Sequence, residues 1–328
     1  MTAATTGRAR RLGTAVRLGD YAPGSAAWDV ARATRVGGSE VAALLGLSPW
    51  ESWFSLWHRK RGLLGPVDDT EHMWWGRNIE PVLAERFALD HPEWNVARTG
   101  TWVHRDRDYQ LSSPDRLLVR PGGGAWELLE IKHPHDPFGE IAEADGTLTA
   151  LWGETGTDQV PIYYRCQALW QMDTFGVERC RFAVYFGGGD YREYLVRYDA
   201  EQAAVLRERA ELFLAAVAAD EQPNVDEHSA TLQALQSLHP DIADVDVEIP
   251  DELAAAYLAS LDAQDTAKDE HALQRARVAA LVGDGRRAIN GLNAKNKPRA
   301  IATRIPGRNG GAPYLRANPR PKPKKEIA

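Results

Sequence analysis

The sequence predicts an α/β fold in which a mixed central β-sheet is flanked by helices. Three observations predict it. The elements follow the order helices, strands, helix, hairpin, helix; the strand-like segments are short and end at glycine-rich turns; and the helical segments carry apolar residues at helical spacing. The chain has 328 residues, 44% of them hydrophobic, which suffices for a sizeable core in one large domain or two.

Three helices are predicted in the first part of the chain. Residues 39–45 follow a glycine pair and read as a serine N-cap with an apolar run behind it. Residues 52–61 and 76–89 place aromatic and aliphatic side chains three and four positions apart, which is the spacing of one helix face. These segments therefore predict helices that pack one face against a core.

Strands are predicted next, followed by a helix, a hairpin and further helices. The predicted strands are 101–104, 117–120, 126–131, 180–186 and 191–198, and the predicted helices are 162–173 and 200–219. Glycine-rich turns at 121–124 and 187–190 separate neighbouring strands. A last stretch, 252–282, is predicted to form one or two amphipathic helices.

Charge is distributed unevenly along the chain, whose formal net charge is -7. Residues 285–328 contain 12 lysines and arginines against one acid, a net of +11, whereas residues 220–284 contain 15 acids against 3 bases, a net of -12. Such asymmetry is typical of contact with a polyanion. A solvated, self-neutralising extension is the alternative, and charge alone leaves both open.

Composition and charge together predict the domain organisation. We expect a flexible leader, a main α/β domain, an acidic and largely helical extension, and a basic C-terminal segment, over residues 1–24, 25–220, 221–284 and 285–328. Two cysteines are too few for a disulfide framework or a four-thiolate zinc site, which favours a reducing, cytoplasmic location. No apolar stretch reaches the ~20 residues that span a bilayer, so we expect no membrane segment.

Residues 112–132 hold the most informative group of polar side chains. Asp115 precedes one predicted strand, and Glu130 and Lys132 lie two apart in the next, so the latter two point to the same face. Asp115 comes beside Glu130 if the strands pair through the glycine-rich turn, but the sequence leaves the register open. Adjacent carboxylates favour a hard cation such as Mg²⁺ or Mn²⁺, and an ammonium suits charge that builds on a phosphoryl group. A turn aspartate and a solvated strand face are the alternative interpretation.

Four sequence blocks go beyond this pattern. They are Trp28…Arg32…VGGSEVAALLGLSPW, WGRNIEP from Trp75, SSPDR…LLEIK from Ser112 to Lys132, and PIYYRCQALWQ from Pro161 to Gln171. In this order they resemble the YqaJ-like viral recombinase family, relatives of phage lambda exonuclease in the PD-(D/E)xK nuclease superfamily. The resemblance covers residues 28 to about 200. It implies a restriction-endonuclease-like core for the predicted α/β domain.

The resemblance also implies a catalytic metal site. Asp115 and Glu130 match the family's metal-binding acids, and the carbonyl of Ile131 is implied as a further ligand. Lys132 matches the catalytic lysine. Glu80, in the helical second block, resembles the acid that completes the metal site.

Two more roles follow from the resemblance. Gln167 matches a glutamine that holds the site or the DNA strand near the scissile phosphate, and Arg32 with Ser39 resembles the pair that receives a 5′-phosphate. Ser39 at a helix start would also favour an anion through backbone amides. This chain carries Arg116 where the family often has glycine, and we expect this arginine to be a candidate for phosphate contact.

The activity implied is that of a Mg²⁺-dependent 5′→3′ exonuclease, with Mn²⁺ as a substitute. It would degrade one strand from double-stranded DNA ends and leave 3′ overhangs for phage recombination. A single-strand annealing recombinase as partner, a homotrimer and the host cytoplasm are implied by the same resemblance. Two alternatives stay open: a non-catalytic DNA-binding recombination scaffold, and another RecB-type nuclease without an iron–sulfur cluster.

Overall fold

A computed structural model describes residues 11–22, 24–134, 139–143, 147–307 and 310–327. Its strands are β1 Arg11–Leu12, β2 Ala15–Gly19, β3 Val36–Gly37, β4 Asn95–Arg98, β5 Thr101–His104, β6 Arg107–Ser112, β7 Arg116–Val119, β8 Trp126–Lys132, β9 Glu140–Ala142, β10 Leu148–Ala150, β11 Arg179–Gly187, β12 Asp190–Arg197, β13 Arg287–Leu292, β14 Pro298–Ile305, β15 Tyr314–Ala317 and β16 Lys322–Pro323. Its helices are α1 Ala26–Ala33, a 3₁₀ helix Val41–Leu45, α2 Trp53–Lys60, α3 Glu71–Asp90, α4 Ile162–Phe175, α5 Ala200–Ala218, α6 Ser229–Leu238 and α7 Asp251–Val282. The chain divides into two compact units, the first of Met1–Phe138, Leu151–Pro240 and Lys325–Ala328 and the second of Gly139–Ala150 and Asp241–Lys324.

A mixed five-stranded sheet forms the centre of the first unit. Its strand order is β12-β11-β8-β7-β4. β8 and β11 run parallel, and the other neighbouring strands are antiparallel. Parallel neighbours need a long crossover connection, and here that connection includes α4. The predicted mixed sheet flanked by helices is confirmed.

Helices cover both faces of this sheet because side chains alternate along its strands. Leu129 of β8 packs with Phe87 of α3 in one buried cluster. Leu128, one position earlier, belongs to the other cluster, which contains Leu169 of α4. The same alternation directs Glu130 away from the α3 cluster and toward α4.

A second sheet in the first unit has the strand order β1-β2-β5-β6-β3. β2 pairs antiparallel with β5, with Val16 opposite Val103, and Ala15 is fully buried. The expected flexible leader over residues 1–24 is therefore wrong for residues 15–19, because backbone pairing and burial hold this segment in a sheet. Residues 1–10 and Pro23 lie outside the described residues.

Capping side chains set several helix boundaries. α2 begins after Ser52, whose hydroxyl accepts a hydrogen bond from the Ser55 N–H in a capping box. α3 begins at Glu71, ahead of the predicted residue 76, because Thr70 caps it. α4 ends at Phe175 and is capped by Gly176, whose φ of 68° favours glycine. α7 is one continuous helix, which settles the choice between one and two helices over 252–282.

The second unit contains α7 and two three-stranded sheets, β13-β14-β15 and β10-β9-β16. Four strands, β13 to β16, lie in the described part of the basic segment 285–328. α6 lies in the first unit, where the hydroxyl oxygens of Thr231 and Ser52 are 2.7 Å apart. This contact explains why the first unit extends to Pro240, beyond the main-domain boundary predicted at residue 220.

Both cysteines lie in the core of the first unit. Cys166 and Cys180 are buried and free, and burial raises the pKa of each thiol. Neither thiol is therefore an activated nucleophile. Of the helices that the structure describes, none combines the length and the apolar character needed to cross a membrane.

Candidate active site

The start of β7 and the end of β8 bring Asp115 and Glu130 together. Arg116, the first residue of β7, is paired with Leu129 of β8, which settles the register that the sequence left open. Asp115 Oδ2 accepts a hydrogen bond from the Ile131 N–H at 2.7 Å. The two carboxylates therefore lie beside each other where the strands meet.

Glu130 is fully buried, and its carboxylate accepts three side-chain hydrogen bonds. Oε2 accepts from Lys132 Nζ at 2.6 Å and from Gln167 Nε2 at 2.7 Å, and Oε1 accepts from Gln171 Nε2 at 2.8 Å. A buried carboxylate is unfavourable unless it is paired and hydrogen-bonded. Lys132 and the two α4 amides therefore stabilise Glu130 in one orientation.

Lys132 lies between the acids and an aromatic ring. Burial by itself would lower the pKa of Lys132, but the charges of Glu130 and Asp115 raise it above its ordinary value. Its Nζ lies 5.2 Å from the ring centroid of Tyr164. Lys132 is therefore a protonated side chain with a fixed position. It can stabilise negative charge on a substrate, but it cannot act as a base that abstracts a proton.

The surroundings favour the charged form of Lys132 but disfavour the charged form of Asp115. Burial and the neighbouring charge of Glu130 raise the pKa of Asp115 to about 8, against the opposing effect of Lys132 and with a further contribution from Glu80. Ionisation of Asp115 beside Glu130 would therefore place more negative charge at the site than Lys132 neutralises.

Glu80 reaches this group from α3. Arg116 Nη1 donates to Glu80 Oε1 at 2.5 Å and to the carbonyl of Asp115 at 2.6 Å. The Arg116 side chain is buried, so it joins α3 to β7 and is not presented to solvent. The expectation that this arginine contacts phosphate does not fit its position, because an acid and a backbone carbonyl already bind it.

The donor types at the site fit a hard divalent cation. Carboxylates are the ligands that Mg²⁺ and Mn²⁺ prefer, and the raised pKa of Asp115 shows that its ionised form is disfavoured here, an effect that a bound cation would offset. Within the described residues, however, no three His, Cys, Asp or Glu side chains are arranged to hold a metal ion. Lys132 donates to one oxygen of Glu130, and Arg116 donates to one oxygen of Glu80, so a cation would compete with these two side chains for the carboxylates.

Of the predicted phosphate-binding pair, Arg32 lies in the last turn of α1 and Ser39 lies in the loop that follows this helix. Arg32 makes an ion pair with Glu40 at 2.6 Å, and Ser39 is exposed. The prediction that Ser39 begins a helix is wrong: Val41–Leu45 is a short 3₁₀ helix whose N-cap is Glu40. The physical reason is that the Glu40 carboxylate turns back to accept the Gly37 N–H at 2.7 Å.

Gly38 joins this loop to the acidic group. A Cβ at Gly38 would lie 3.3 Å from Cγ of Gln171 and 3.4 Å from Cγ of Gln167, the two glutamines that bind Glu130. The loop around Gly38 therefore packs on the same stretch of α4 that holds Glu130, and the absence of a side chain at Gly38 permits this close approach.

Glu40 is expected to contribute strongly to the stability of this loop. Lys60 Nζ donates to both of its oxygens at 2.9 Å, and the Lys60 side chain is 4% exposed. Burial alone would raise the pKa of Glu40, but Arg32 and Lys60 hold it at about 2. Glu40→Gln leaves Lys60 buried without its carboxylate, so we expect the free energy of unfolding in urea at pH 7 to fall by about 3 kcal/mol.

The pH dependence and a surface variant provide the controls. Because the pKa of Glu40 is lowered in the folded state, ionised Glu40 contributes to the free energy of unfolding above pH ~4.3. This contribution is lost as the pH falls toward about 2, the pKa of Glu40 in the folded protein. Wild type and Glu40→Gln should therefore converge in acid. Asp69→Asn removes an exposed pair with Arg77 and should change stability by less than about 1 kcal/mol. Equal losses in both variants would contradict the role of Glu40.

Sequence reasoning missed Gln171, Tyr164 and the Glu40–Lys60 pair. Gln171 stands four positions after Gln167 on α4, and this helical spacing places both amides on one face, so a local signal existed. Glu40 and Lys60 are 20 residues apart and meet only through the packing of α2. No local pattern indicates that contact.

Comparison with known proteins agrees with the four sequence blocks. Residues 27–178 match the family model described as the YqaJ-like viral recombinase domain. A Bacillus subtilis (strain 168) protein, described as "Uncharacterized protein YqaJ", is 25% identical over 168 residues, which cover 50% of this chain and 47% of the relative. The matched region thus spans about half the length of that curated relative.

Two solved structures are similar as well. An alkaline exonuclease (LHK-Exo) from Laribacter hongkongensis is 21% identical with a TM-score of 0.46, and its complex with dAMP is 20% identical with a TM-score of 0.46. Each match covers 60% of this chain and 94% of the other. The match over residues 27–178 confirms the resemblance to the YqaJ-like viral recombinase family that the four sequence blocks predicted.

Proposed function

We propose that the protein is a metal-dependent 5′→3′ exonuclease that degrades one strand from double-stranded DNA ends and leaves 3′ overhangs for phage recombination. The observation that carries the proposal is the meeting of Asp115, Glu130 and Lys132 at the adjoining ends of β7 and β8. Acids suited to a hard cation beside a protonated lysine provide what phosphodiester hydrolysis requires. The description of the matched family as a viral recombinase domain supports the assignment to recombination.

The acids would hold Mg²⁺, or Mn²⁺ as a substitute. The ligands proposed are the carboxylates of Asp115, Glu130 and Glu80 and the carbonyl of Ile131. When bound, the cation polarises the phosphate and lowers the pKa of a coordinated water. Lys132, whose Nζ lies 2.6 Å from Glu130 Oε2, would donate to the phosphate oxygens.

In this proposal Lys132 stabilises charge on the phosphate, and Gln167 positions a metal-binding carboxylate. Lys132 stabilises negative charge on the phosphate as water attacks. Gln167, together with Gln171, holds the Glu130 carboxylate in its orientation by donating to both of its oxygens. A carboxylate held in this way loses little orientational freedom when it binds a cation.

A digestion assay tests the proposal. Linear duplex labelled at the 5′ or 3′ end of one strand is incubated with the protein and Mg²⁺, with EDTA as the control. We expect early release of 5′-terminal nucleotides and no digestion in EDTA. DNA binding without digestion would favour a non-catalytic recombination scaffold, and release from 3′ ends would overturn the polarity.

Arg32 is proposed to receive the 5′-phosphate, with Ser39 beside it. Arg32 pairs with Glu40 through Nη2, and its side chain is 17% exposed, so further N–H donors of the guanidinium are left for a phosphate. Arg32→Ala should reduce the preference for 5′-phosphorylated over 5′-hydroxyl ends by roughly 10-fold, the value of one charged hydrogen bond. Arg105→Ala, at an exposed pair with Asp106, is the control. An unchanged ratio of the two digestion rates in Arg32→Ala would refute the assignment.

The basic C-terminal segment is proposed to contact the DNA backbone. In the β13-β14-β15 sheet, Arg287 and Arg316 both stand opposite Thr303, so one face carries two exposed arginines across three strands. Arg287→Gln with Arg316→Gln should weaken duplex binding and reduce its salt slope by about 2, since each phosphate contact contributes about 0.9.

Arg304 provides a matched control on the same sheet. Its guanidinium donates to the Gly283 carbonyl at 2.7 Å and lies 3.3 Å from Asp284, so it is engaged within the protein. Arg304→Gln should leave the salt slope unchanged. The same slope in the double variant and the wild type would favour the solvated, self-neutralising extension.

The remaining assignments concern partners and location. A single-strand annealing recombinase as partner, a homotrimer around DNA and a cytoplasmic location follow from the family resemblance and are proposed on that ground. Sedimentation of the protein with and without duplex DNA tests the trimer directly.

A further inference from the structure

Trp50 is an exposed aromatic residue on an anchored loop. It is 58% exposed, although tryptophan is highly buried on average. Ser48 Oγ accepts the N–H groups of Trp50 and Glu51, and Ser52 caps α2 directly after them. The His228 ring binds the Ser48 carbonyl at 3.0 Å and anchors the loop from α6. The backbone of Trp50 is therefore fixed by hydrogen bonds before it, at Ser48, and after it, at Ser52.

A series of ring contacts connects Trp50 with Lys132. Trp50 meets Tyr163 edge to face, with 4.8 Å between ring centroids, and Tyr163 meets Tyr164 at 4.6 Å. The Tyr164 centroid lies 6.2 Å from that of Trp50 and 5.2 Å from Lys132 Nζ. Successive bases on one DNA strand are about 3.4 Å apart, so Trp50 lies within a few nucleotides of a phosphate that faces Lys132.

We propose that Trp50 is a stacking platform for a nucleobase of the DNA end, within the first few nucleotides from the phosphate that is cleaved. The inference rests on the proposed nuclease function. With Tyr163 edge to face against it and Tyr164 at 6.2 Å, Trp50 is still 58% exposed, which leaves indole surface for a base. Aromatic side chains bind bases without regard to sequence because every base has a π-face, which suits an enzyme that must accept each nucleotide in turn.

A thermodynamic cycle tests the platform. Binding of a short blunt duplex is measured in EDTA, so that no digestion occurs, for wild type and Trp50→Ala. Each of the first four nucleotides of either strand is replaced in turn by an abasic nucleotide. We expect that loss of one particular base weakens wild-type binding on the order of 10-fold, and that Trp50→Ala binds equally weakly with or without this base.

Two further variants complete the design. Trp50→Phe keeps an aromatic face and should restore most of the base dependence. Tyr257→Ala removes an exposed aromatic side chain of α7 and should behave as wild type. Thermal melting of each variant checks the fold, which should persist because Trp50 is mostly exposed.

The outcomes separate this inference from the proposed function. If wild type digests duplex with Mg²⁺ but Trp50→Ala shows the same base dependence at every position, the platform is overturned and the nuclease stands. If wild type neither digests nor binds duplex, both are overturned. Coupling between Trp50 and one base in a protein that binds DNA without digesting it supports the platform and overturns the nuclease.

Discussion

Lys132→Ala is expected to abolish cleavage while DNA binding persists. Lys132 Nζ lies 2.6 Å from Glu130 Oε2, and the acids around it keep it protonated, so it is the group placed to stabilise charge on the phosphate. Removal of one preorganised donor typically costs 10²–10³-fold in rate, and we expect a loss of at least about 10²-fold here. Single-turnover digestion of linear duplex measures the rate, and binding in EDTA measures affinity.

Two companion variants distinguish catalysis from folding. Lys132→Gln keeps a donor for the buried Glu130 carboxylate and should be inactive yet folded. Lys268→Ala removes an exposed lysine of α7, whose partner is Asp265, and should retain full activity. Substantial Mg²⁺-dependent cleavage by Lys132→Gln would remove the lysine from the mechanism.

Asp115→Asn is expected to abolish cleavage and to stabilise the metal-free protein. The asparagine carbonyl retains an acceptor for the Ile131 N–H but removes a charge that burial and Glu130 disfavour. The pKa of Asp115 is raised to about 8, from about 3.9 in an unfolded chain. Between these values the unfolded state releases a proton that the folded state keeps, so wild-type stability falls as the pH rises from about 4 to about 8.

The stability difference between Asp115→Asn and wild type is expected to increase with pH. In urea with EDTA, the stability gained by Asp115→Asn should be absent near pH 4, grow with pH, and level off above about pH 8 at on the order of 2–5 kcal/mol. Asp106→Asn, at an exposed carboxyl, is the control and should show no such increase. Addition of Mg²⁺ should stabilise wild type more than the variant. A stability difference that does not change with pH would contradict the electrostatic account.

Local patterns in the sequence predicted part of the site. Glu130 and Lys132 are two apart in one strand, and the alternation of side chains places them on one face whatever else surrounds them. Their pairing with Asp115 required the register of β7 and β8, which is decided by which apolar residues reach the α3 and α4 clusters. Gln171 could have been predicted as well, because it lies four positions after Gln167 and therefore on the same helix face.

Local sequence patterns predicted most of the elements of the main domain, the mixed sheet and the resemblance to the family, because apolar periodicity, glycine turns and short motifs are properties of neighbouring residues. Only the tertiary structure decided that residues 15–19 join a sheet, that Arg116 binds Glu80 and that Arg32 is paired with Glu40. Each of these contacts joins segments whose proximity depends on how whole elements pack. The partner of a buried charged side chain depends on which elements pack beside it, and no local sequence pattern specifies that partner.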